Sequence, residues 1–410
     1  MKIWIVEVGE PLPLKDSNNR PYRYSQLFDT LALREHDITW WASDFSHQHK
    51  EKIISDTNPV RFNDNKSLHL IKMPAYKNNL SVMRVLSQIV TGIRFYKTIL
   101  GKTPPDLILS AYPVMEMAFF STLYGKKNKI PVIIDVQDLW PDIFLGVKNP
   151  FKKILVSIFI YPFKLLAKYV FKNASGIVGV SKDYMDFGVK YSRRIMKEKE
   201  DAVFPLAYAK DASFSVVKSV ENCLDQNKII IWFVGSFGST YDISTVVKTA
   251  SILEGSRIDD VMFVITGDGD SFNSIKKEAE GLKNVLLTGW LEASEINYIG
   301  ENSSIGLMAY TEGAPQGLPN KVIEYMSFGL PMICSLKGES EDLIAKNEIG
   351  LQYIAGDTDS LANSITKLLD EKVRNSMSKR SKLLFESEYS SEIVYEEYSR
   401  YLESFLVSGK

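Results

Sequence analysis

The feature that most constrains the fold is a pattern that the 410-residue chain shows twice. Short apolar runs rich in β-branched residues alternate with longer stretches of helical character, which is typical of parallel sheets with crossover helices. The pattern therefore predicts an α/β fold of two doubly wound, Rossmann-like domains that face a cleft. The predicted strands are 2–8, 68–73, 106–110, 131–136, 176–181 and 202–206 in the first half, and 228–235, 261–267, 284–289, 304–310, 331–335 and 350–354 in the second.

The length also favours two domains, since a chain of this size exceeds one ordinary hydrophobic core. We expect an N-terminal, Rossmann-like domain at 1–206 and a C-terminal, Rossmann-like domain at 228–390. The polar stretch 207–227 lacks clear periodicity and is the predicted linker. A last helix at 391–410 is expected to pack back toward the N-terminal domain.

Charge is distributed unevenly along the chain. Residues 1–205 contain 30 Lys and Arg against 20 Asp and Glu, a net charge of +10, while the remainder contains 19 against 30, a net charge of −11. A basic first half suits an anionic surface, such as a membrane leaflet or a nucleic acid; simple divergence of two surfaces is the alternative. The two cysteines stand apart and without a histidine cluster, which favours a reducing compartment over a disulfide framework or zinc site.

One segment of the first half combines lysines with many apolar residues. In 150–175, a stripe at helical spacing contains Lys153, Ser157, Tyr161, Lys164, Lys168 and Lys172, and Pro162 predicts a kink or a break. Such a segment can lie on an anionic membrane surface; the alternative is a core helix with a solvated lysine face. The longest apolar run, 154–163, falls short of the roughly twenty residues that span a bilayer, so we expect no crossing.

Three strand ends of the second half carry glycines or polar groups. After 228–235 comes a turn with Gly235, Ser236 and Gly238, whose amides can hold a phosphate, although a plain tight turn is the alternative. After 261–267, Gly267 and Asp268 open a turn in which the aspartates of Asp268-Gly269-Asp270 suit helix N-cap positions better than a metal. After 284–289, the stretch Gly289-Trp290-Leu291 offers backbone groups for a nucleobase edge, with Trp290 alternatively in the core. The helix that follows is predicted to be capped by Ser294.

The segment AYTEGAPQGLPNKVIEYMSFGLP, residues 309–331, is the most informative. Its loop, rich in glycine and proline, offers closely spaced amides for binding hydroxyl groups, and a helix predicted to begin near Asn320 directs its positive end the same way. Lys321 adds a charge there, and Glu324 adds a carboxylate suited to the two hydroxyls of a ribose; a helix-start carboxylate favoured by the dipole is the alternative. The candidate ligand-binding residues of this segment are Gly313, Ala314, Gln316, Gly317, Leu318, Asn320, Lys321 and Glu324.

In the first half, the stretch IIDVQDLWPD leaves a predicted strand with Asp135 and Asp138 on either side of the turn. Carboxylates at this position are expected to face the cleft and contact an acceptor hydroxyl. The long polar loop after the first strand contains Arg20 and Arg23, which are candidate phosphate contacts, with simple solvation as the alternative.

Taken together, these motifs resemble the retaining glycosyltransferases of family four, which have the GT-B fold. The similarity is greatest to the branch that builds bacterial O-antigen or capsule repeats on a lipid carrier, especially its fucosamine transferase-like members. It extends over nearly the whole chain, in the family's order: IIDVQDLWPD, KNASGIVGVSKDYMDFGV, WFVGSFGSTYDISTVVKTA, ITGDGD and QGLPNKVIEYMSFGLPMICS. The last of these stretches is the most specific.

The resemblance implies a nucleotide diphosphate-sugar donor in the second domain, an acceptor on the first, and transfer with retention and without a metal. Family members carry two glutamates eight positions apart. Glu324 matches the second, which binds ribose hydroxyls, whereas Gln316 replaces the first. Many members also place an Arg and a Lys in the loop that here reads 235–240, which has neither. We expect Lys321 to supply the missing positive charge.

The sequence therefore predicts a hexosyl or N-acetylhexosaminyl transferase with no cofactor beyond its co-substrate, a UDP-sugar. Its expected acceptor is an undecaprenyl-diphosphate-linked saccharide, its catalytic candidates are Asp138, Lys321 and Glu324, and it is expected in the cytoplasm, peripherally on the inner face of the cell membrane. No nucleic acid is expected as a partner.

Two alternatives remain open. One is a nucleotide-sugar 2-epimerase of the same fold, which would need acid/base carboxylates and usually histidines in the cleft. The four histidines, at 36, 47, 49 and 69, all lie early and away from the predicted strand ends. The other is a degenerate, non-catalytic binding protein, which Gln316 and the missing Arg and Lys would suit.

Overall fold

The computed structural model divides the chain into two compact units, each described here by itself. Unit 1 contains Met1–Pro205 and Val394–Lys410, and unit 2 contains Leu206–Ile393. The residues that the structure describes are 1–14, 22–53, 57–78, 81–146, 149–208, 218–221, 223–256, 258 and 260–407.

Unit 1 contains a sheet of eight strands in the order β3-β4-β2-β1-β5-β6-β7-β8. All neighbours pair in parallel except β3, which pairs antiparallel with β4. The strand order reverses between β1 and β5, the kind of position at which doubly wound sheets bind ligands. The strands are β1 (Lys2–Val6), β2 (Asp37–Ser43), β3 (Val60–Asn63), β4 (Lys66–Ile71), β5 (Leu107–Tyr112), β6 (Val132–Val136), β7 (Gly176–Gly179) and β8 (Asp201–Val203).

Unit 2 contains a sheet of six strands, all parallel, in the order β11-β10-β9-β12-β13-β14. Here the order reverses between β9 and β12. Near-continuous apolar runs such as IIIWFV in β9 fit a sheet covered on both faces. The strands are β9 (Ile229–Val234), β10 (Val261–Thr266), β11 (Val285–Gly289), β12 (Ile305–Met308), β13 (Met332–Cys334) and β14 (Gly350–Gln352).

Helices connect the strands of both sheets, and a 3₁₀ turn covers Asp142–Gly146. The helices are α1 (Arg23–Leu33), α2 (Val82–Ile99), α3 (Met115–Asn128), α4 (Pro150–Asn173), α5 (Lys182–Ser192), α6 (Lys218–Glu221), α7 (Ile243–Gly255), α8 (Phe272–Glu278), α9 (Ala293–Asn302), α10 (Asn320–Ser327), α11 (Glu339–Asn347), α12 (Thr358–Leu369), α13 (Glu371–Leu384) and α14 (Ser391–Val407).

In unit 1, one layer of helices lies side by side on the sheet: α3 packs against both α2 and α4, and α4 packs against α5. The core under this layer contains Trp4 of β1, Ile134 of β6 and Phe171 of α4. The part of α14 that belongs to unit 1 contacts α1 and the turn after it: Glu403 accepts hydrogen bonds from Arg34 at 2.8 Å and is paired with His36 at 2.8 Å.

The predicted fold class, two doubly wound α/β units, is confirmed, and each of the twelve predicted strands has a counterpart. Two strands were missed: β2, with the sequence DITWWAS, and the short edge strand β3. Part of the predicted linker belongs to unit 2, because Tyr208, Val220 and Leu224 are buried in its core; residues 209–217 and 222 lie outside the described residues.

Two predictions of helix N-caps were wrong, and one of the two alternatives at Pro162, a break, is excluded because helix α4 continues through this residue. Helix α9 begins at Ala293, with Glu292 and not Ser294 in the N-cap position, and the carboxylate of Glu295 accepts a hydrogen bond from the Glu292 amide. Helix α8 has Ser271 as its N-cap, so neither aspartate of the preceding turn occupies that position.

By length and composition, one helix of the described residues is long and apolar enough to cross a membrane. It covers Phe151–Asn173; its most apolar 18-residue window has a mean hydropathy of 1.7, and 22% of that window is buried. The sequence analysis considered only the uninterrupted run 154–163, whereas this helix gains its hydropathy from apolar residues on both sides of its lysines.

Candidate functional site

In unit 2, three loops meet at the carboxyl ends of neighbouring strands. The amide of Gly235, after β9, donates to the Thr266 carbonyl at 2.9 Å, and the amide of Gly267, after β10, donates to the Gly289 carbonyl at 2.9 Å. A Cβ atom on Gly267 would overlap the carbonyl oxygen of Gly235. Glycine at 267 is therefore required by the close approach of two backbones.

Lys321 lies beneath the first of these loops. It is the second residue of α10 and is only 8% exposed. Its Nζ donates to the Tyr241 hydroxyl at 3.0 Å and lies over the rings of Tyr241, Phe233 and Tyr310, at 4.4, 5.5 and 5.9 Å from their centroids. Aromatic faces attract an ammonium ion, so the three rings hold this charge in place.

Close packing brings that ammonium group against the backbone of the loop after β9. A Cβ added to Gly235 would overlap the end of the Lys321 side chain. Lys321 and Gly235 thus meet at the point where the order of strands reverses, and a positive charge lies beside exposed loop groups such as Ser236. This arrangement suits a phosphate.

The loop between β12 and α10 is tied to the loop after β9. The amide of Thr311 donates to the Thr240 carbonyl at 3.0 Å, and the amide of Asp242 donates to the Ala309 carbonyl at 3.1 Å. Ala314 and Leu318 pack against the core, so they shape this loop and offer little polar contact beyond their backbones. Gly317 accepts a hydrogen bond from the Ser340 hydroxyl through its carbonyl.

Gly313 adopts a φ of 74°, in the left-handed region that favours glycine, and has open space around it. Helix α10 begins at Asn320, as predicted, and this side chain is exposed.

Two polar residues, one before and one after the start of α10, complete the site. Gln316 is half-buried, and its Oε1 is enclosed with no hydrogen-bond donor among the described residues. Glu324 is 9% exposed.

The remaining candidates of unit 2 are positioned around the same strand ends. Trp290 is 78% exposed, which excludes the alternative that it belongs to the core. Leu291 packs partly against the core, while Asp268 is exposed and accepts a hydrogen bond from the Gly269 amide at 2.7 Å. Gly238 lies in the turn that follows Ser236 and has almost no neighbours around its Cα.

Two of the predicted acceptor contacts in unit 1 were wrong. The Nε of Arg23 donates to the Asp135 carboxylate at 2.7 Å, and its Nη1 donates to the carbonyls of Phe204 and Pro205 at 2.9 and 3.0 Å. Arg23 is 3% exposed and Asp135 is completely buried. Each charge neutralises the other inside the unit, so neither is available to a phosphate or a sugar. Arg20 lies outside the described residues.

Asp138 differs from this pair because it is only half-buried, just after the end of β6. Burial raises the pKa of its carboxyl above the ordinary value, although a hydrogen bond from the Leu139 amide and the charge of Arg84 act in the opposite direction. A carboxyl group with a raised pKa is a better proton acceptor than an ordinary one.

The sequence analysis missed a pocket in unit 1. Its volume is about 170 Å³, and it lies at the carboxyl ends of β1 and β2, with Glu10, His47 and His49 among its lining residues. The carboxylate of Glu10 accepts hydrogen bonds from the amides of Tyr24 and Ser25, both at 2.9 Å, which fixes the start of α1. The carboxylate of Glu7 accepts from the Glu10 amide at 2.9 Å.

Glu10 of this pocket and its buried neighbour Glu7 hold protons more tightly than usual. Burial raises the pKa of Glu7 and of Glu10, and the nearby Glu7 carboxylate raises that of Glu10 further. Burial also lowers the pKa of His47 to about 4, so that this imidazole is neutral. His47 and His49 follow β2, so the expectation that all histidines lie away from strand ends was wrong. The apolar run ITWWA was enough to predict β2. The two glutamates of EVGEP, at the end of the first strand, were enough to suggest candidate site residues there.

Comparison with known proteins identifies a family to which part of unit 2 is similar. Residues 218–383 match the model of the family described as Glycosyl transferases group 1. This part of the chain is similar to a group 1 glycosyl transferase domain. It contains every predicted donor-binding residue, from Gly235 to Glu324.

One curated relative is the UDP-Gal:alpha-D-GlcNAc-diphosphoundecaprenol alpha-1,3-galactosyltransferase of Escherichia coli. The chain is 33% identical to it over 133 residues, which is 31% of this chain and 33% of that protein. The match therefore spans about a third of the relative's length.

Solved structures match over the whole chain. A sucrose-phosphate synthase from Thermosynechococcus elongatus has a TM-score of 0.69 at 15% identity, covering 100% of both chains. Anabaena HepE in complex with UDP has a TM-score of 0.65 at 11% identity, covering 98% of this chain and 99% of that one. WaaG, a glycosyltransferase involved in lipopolysaccharide biosynthesis, has a TM-score of 0.64 at 13% identity, covering 98% and 99%. The fold is thus that of the GT-B glycosyltransferases.

Proposed function

We propose that the protein is a retaining glycosyltransferase that moves a sugar from a nucleotide diphosphate-sugar, a UDP-sugar, to a lipid-linked saccharide. The observation that carries the proposal is the group 1 domain at 218–383, in which Lys321, Gln316 and Glu324 lie around one loop and one helix start. Glycosyl transfer needs these groups: a cation for a diphosphate, and a carboxylate and an amide for hydroxyls.

In this proposal, the diphosphate lies between the loop after β9 and the start of α10. The amides of 235–238 and the Lys321 ammonium group stabilise the negative charge that develops on the diphosphate as the glycosidic bond breaks. Glu324 binds the ribose hydroxyls, and Gln316 donates to or accepts from hydroxyls of the sugar. Exposed Trp290, with Gly289 and Leu291, borders the nucleobase.

The acceptor hydroxyl then attacks from the face that the diphosphate leaves, so that the configuration of the anomeric carbon is retained. Its proton passes to the departing phosphate, and Asp138 is the protein group that we propose as an additional proton acceptor, since burial raises its pKa. The positive charge in this scheme comes from Lys321 and backbone amides, without a metal ion.

We propose an undecaprenyl-diphosphate-linked saccharide as the acceptor, and O-antigen or capsule synthesis as the process. The name of the Escherichia coli relative supports this, since it specifies an acceptor on diphosphoundecaprenol. A carrier of this kind remains in a membrane, so we place the protein in the cytoplasm, on the inner face of the cell membrane. The fucosamine transferase-like branch remains part of this proposal.

The test is transfer of a labelled sugar from UDP-sugars to a lipid-diphosphate-linked acceptor, together with calorimetry of UDP and GDP binding. We expect Glu324→Ala to lose most turnover with the fold intact, while Glu280→Ala, which removes an exposed carboxylate of the same unit, keeps it. Wild-type turnover in Glu324→Ala would contradict the assignment of this site. Absence of binding to either nucleotide would favour a non-catalytic binding protein.

One observation favours a second candidate, the nucleotide-sugar 2-epimerase. The pocket after β1 combines Glu10 with His47 and His49, which are groups that acid/base chemistry uses. Incubating the protein with UDP-sugar alone separates the two candidates. An epimerised sugar without acceptor would favour the epimerase, whereas an unchanged sugar that is transferred once acceptor is added supports the transferase.

A further inference from the structure

Over residues 82–93, helix α2 of unit 1 packs with its apolar stripe outward. The positions that it buries in this part are Ser87, Thr91 and Gly92. Gly92 allows close contact with α3, because a Cβ there would lie 2.9 Å from the Phe120 ring. The large aliphatic residues of this part are exposed, at the spacing of one helical stripe: Val82 (71%), Leu86 (50%), Ile89 (39%) and Ile93 (41%), with Met83 (54%) beside them. The last turns of the helix differ, since Phe95 and Ile99 are buried in the core. A helix of a soluble protein normally has the opposite arrangement.

Helix α4 also exposes its apolar residues, over its first half. Its large exposed side chains are Phe151 (79%), Ile154 (59%), Leu155 (68%), Ile158 (68%), Phe159 (64%), Tyr161 (60%) and Leu165 (52%). Because residues 151–155 and 157–159 are exposed without interruption by a buried position, this half is uncovered on nearly every side. It is about 15 Å long at the rise of an α-helix. The second half is different, since Ala167, Val170 and Phe171 are buried in the core.

An aromatic row connects the two helices across α3. Tyr96 of α2 lies 5.2 Å from Phe120, Phe120 lies 5.2 Å from Phe119, and Phe119 lies 5.1 Å from Tyr169 of α4, measured between ring centroids. This row joins the C-terminal halves of α2 and α4 on either side of α3. The exposed stripe of α2 and the exposed first half of α4 lie on the two helices that flank α3, and together they are called the α2–α4 face. Apolar surface on this scale is rare on a soluble monomer and marks a contact with a partner.

The charges of the α2–α4 face identify the partner. Helix α2 carries Arg84, Arg94 and Lys97, and helix α4 carries Lys152, Lys153, Lys164, Lys168 and Lys172; neither helix contains an Asp or a Glu. Apolar residues flanked by basic ones are the composition of segments that lie in the interface of an anionic bilayer. A flat protein surface would cover one side of α4, whereas lipid can surround a helix half that is exposed on nearly every side.

We propose that the α2–α4 face docks onto an anionic phospholipid bilayer, with the first half of α4 inserted among the headgroups and the stripe of α2 resting on the surface. The second half of α4 stays in the core of unit 1, which is why this helix lies in the interface and does not span it. The proposal deepens the expected location at a membrane. It concerns binding alone, so that it can fail while glycosyl transfer to a soluble acceptor analogue succeeds, and the reverse.

The test is co-sedimentation of the full chain with vesicles of phosphatidylcholine, with and without phosphatidylglycerol, in the absence of donor and acceptor. We expect binding to the anionic vesicles and much weaker binding to the neutral ones. Leu155→Glu/Ile158→Glu should lower the partition coefficient at least tenfold, since each side chain loses a favourable insertion. The control Leu33→Glu/Ile195→Glu changes two residues of unit 1 that are 85% and 89% exposed, and should bind like the wild type.

A second pair of variants tests the charges. Lys152→Gln/Lys153→Gln should weaken binding by about fivefold for each lysine removed. Lys190→Gln/Lys199→Gln removes the same charge from exposed positions outside the α2–α4 face and should have little effect. Equal losses in both pairs would overturn the proposal, because net charge alone would then explain the binding.

A second copy of this chain is the other partner that would suit the α2–α4 face. Light scattering without lipid tests for such a dimer. A dimer that Leu155→Glu/Ile158→Glu dissociates, together with no sedimentation on anionic vesicles, would overturn the bilayer proposal. All variants change residues that are largely exposed, so a melting temperature within a few degrees of the wild type is expected and verifies their folding.

Discussion

The two units place different kinds of group at corresponding points of their sheets. Strands β1 and β9 are each the first strand of their unit, and each lies where the strand order reverses. The end of β1 leads to Glu7 and Glu10, whereas the end of β9 lies against the ammonium group of Lys321. The same fold thus presents carboxyl groups in unit 1 and an ammonium group surrounded by aromatic rings in unit 2. Carboxyl groups suit a polyhydroxylated ligand, and the ammonium group suits a diphosphate.

The outer helices differ as strongly as the strand ends. Helix α7 of unit 2 buries Ile243, Val246, Val247, Ala250 and Leu253, the ordinary arrangement of an amphipathic helix. Over residues 82–93, helix α2 of unit 1 exposes residues of that kind and buries Ser87, Thr91 and Gly92. The outward side of α7 is thus suited to water, whereas the α2–α4 face of unit 1 is suited to the apolar partner that we propose for it.

The largest expected effect is that of Gly267→Ala in unit 2. The added methyl group would overlap the Gly235 carbonyl oxygen, so either the loop after β9 or the end of β10 must move. We expect unit 2 to lose about 3 kcal/mol or more of unfolding free energy, measured by urea denaturation, and to lose UDP binding.

The control for this change is Gly255→Ala, at the end of α7, where a Cβ would meet nothing within 4 Å. It should leave both quantities nearly unchanged. A wild-type urea transition in Gly267→Ala would show that the two loops are not held together as described.

Replacing Lys321 by Met tests whether the positive charge among the three aromatic rings contributes to UDP binding. Methionine has a similar length and can fill the space among the three rings, so stability should change little, but the positive charge is lost. A hydrogen bond to a charged group contributes about 1.5–3 kcal/mol, so we expect UDP binding to weaken about tenfold to a hundredfold by calorimetry. Lys248→Met, on the exposed side of α7, is the matched control. Equal affinities in the two variants would exclude Lys321 from the diphosphate site.

Gln316→Glu tests the position at which the chain differs from the family pattern. The enclosed Oε1 has no donor among the described residues, so a carboxylate there should cost about 1–3 kcal/mol of unfolding free energy. Hydroxyls of a bound UDP-sugar would supply donors, so part of this loss should be recovered in thermal melts with ligand. Gln226→Glu, which is exposed in the same unit, should show neither effect.

The smallest expected effect is a change in pH dependence in unit 1. Burial raises the pKa of Glu7 from 4.5 to about 7. Between these two pH values, the folded state therefore keeps a proton that the unfolded chain releases. The stability that this proton contributes is fully present below pH 4.5 and is lost as the pH rises toward 7. Glu7→Gln keeps an acceptor oxygen without a charge, so its melting temperature should fall several degrees less than that of the wild type from pH 5 to pH 8.

The control for this prediction is Glu198→Gln, an exposed carboxylate of unit 1, which should follow the wild-type pH profile. Parallel profiles for Glu7→Gln and the wild type would contradict the raised pKa of Glu7.

The fold was predictable because its strands are nearly continuous apolar runs, of which IIIWFV in β9 is an example. The start of α10 was predictable from Pro319 and Asn320, since proline ends the preceding extended segment. Strand β2 was missed although ITWWA is apolar and β-rich, and this error hid the relation between His47 and the strand ends. Each apolar, β-rich run of a sequence therefore has to be considered as a possible strand.

Other features depend on contacts that no local pattern contains. Arg23 and Asp135 lie 112 residues apart, and nothing in either neighbourhood indicates that they neutralise each other inside unit 1. The reversed packing of α2 is similar, because periodicity identifies an apolar stripe but not which side of the helix faces the sheet. The aromatic surroundings of Lys321 come from three separate segments of unit 2.

The backbone hydrogen bonds from Gly235 to Thr266 and from Gly267 to Gly289 also have a consequence for how such a protein can diversify. Because these loops hold one another at fixed spacing, an insertion or deletion in any of them would displace the others. New donor preferences should therefore arise through side-chain replacement at exposed positions such as Ser236 and Trp290, or in the loop 311–319. Among natural variants we expect the glycine framework to persist in length while the chemistry around it diverges.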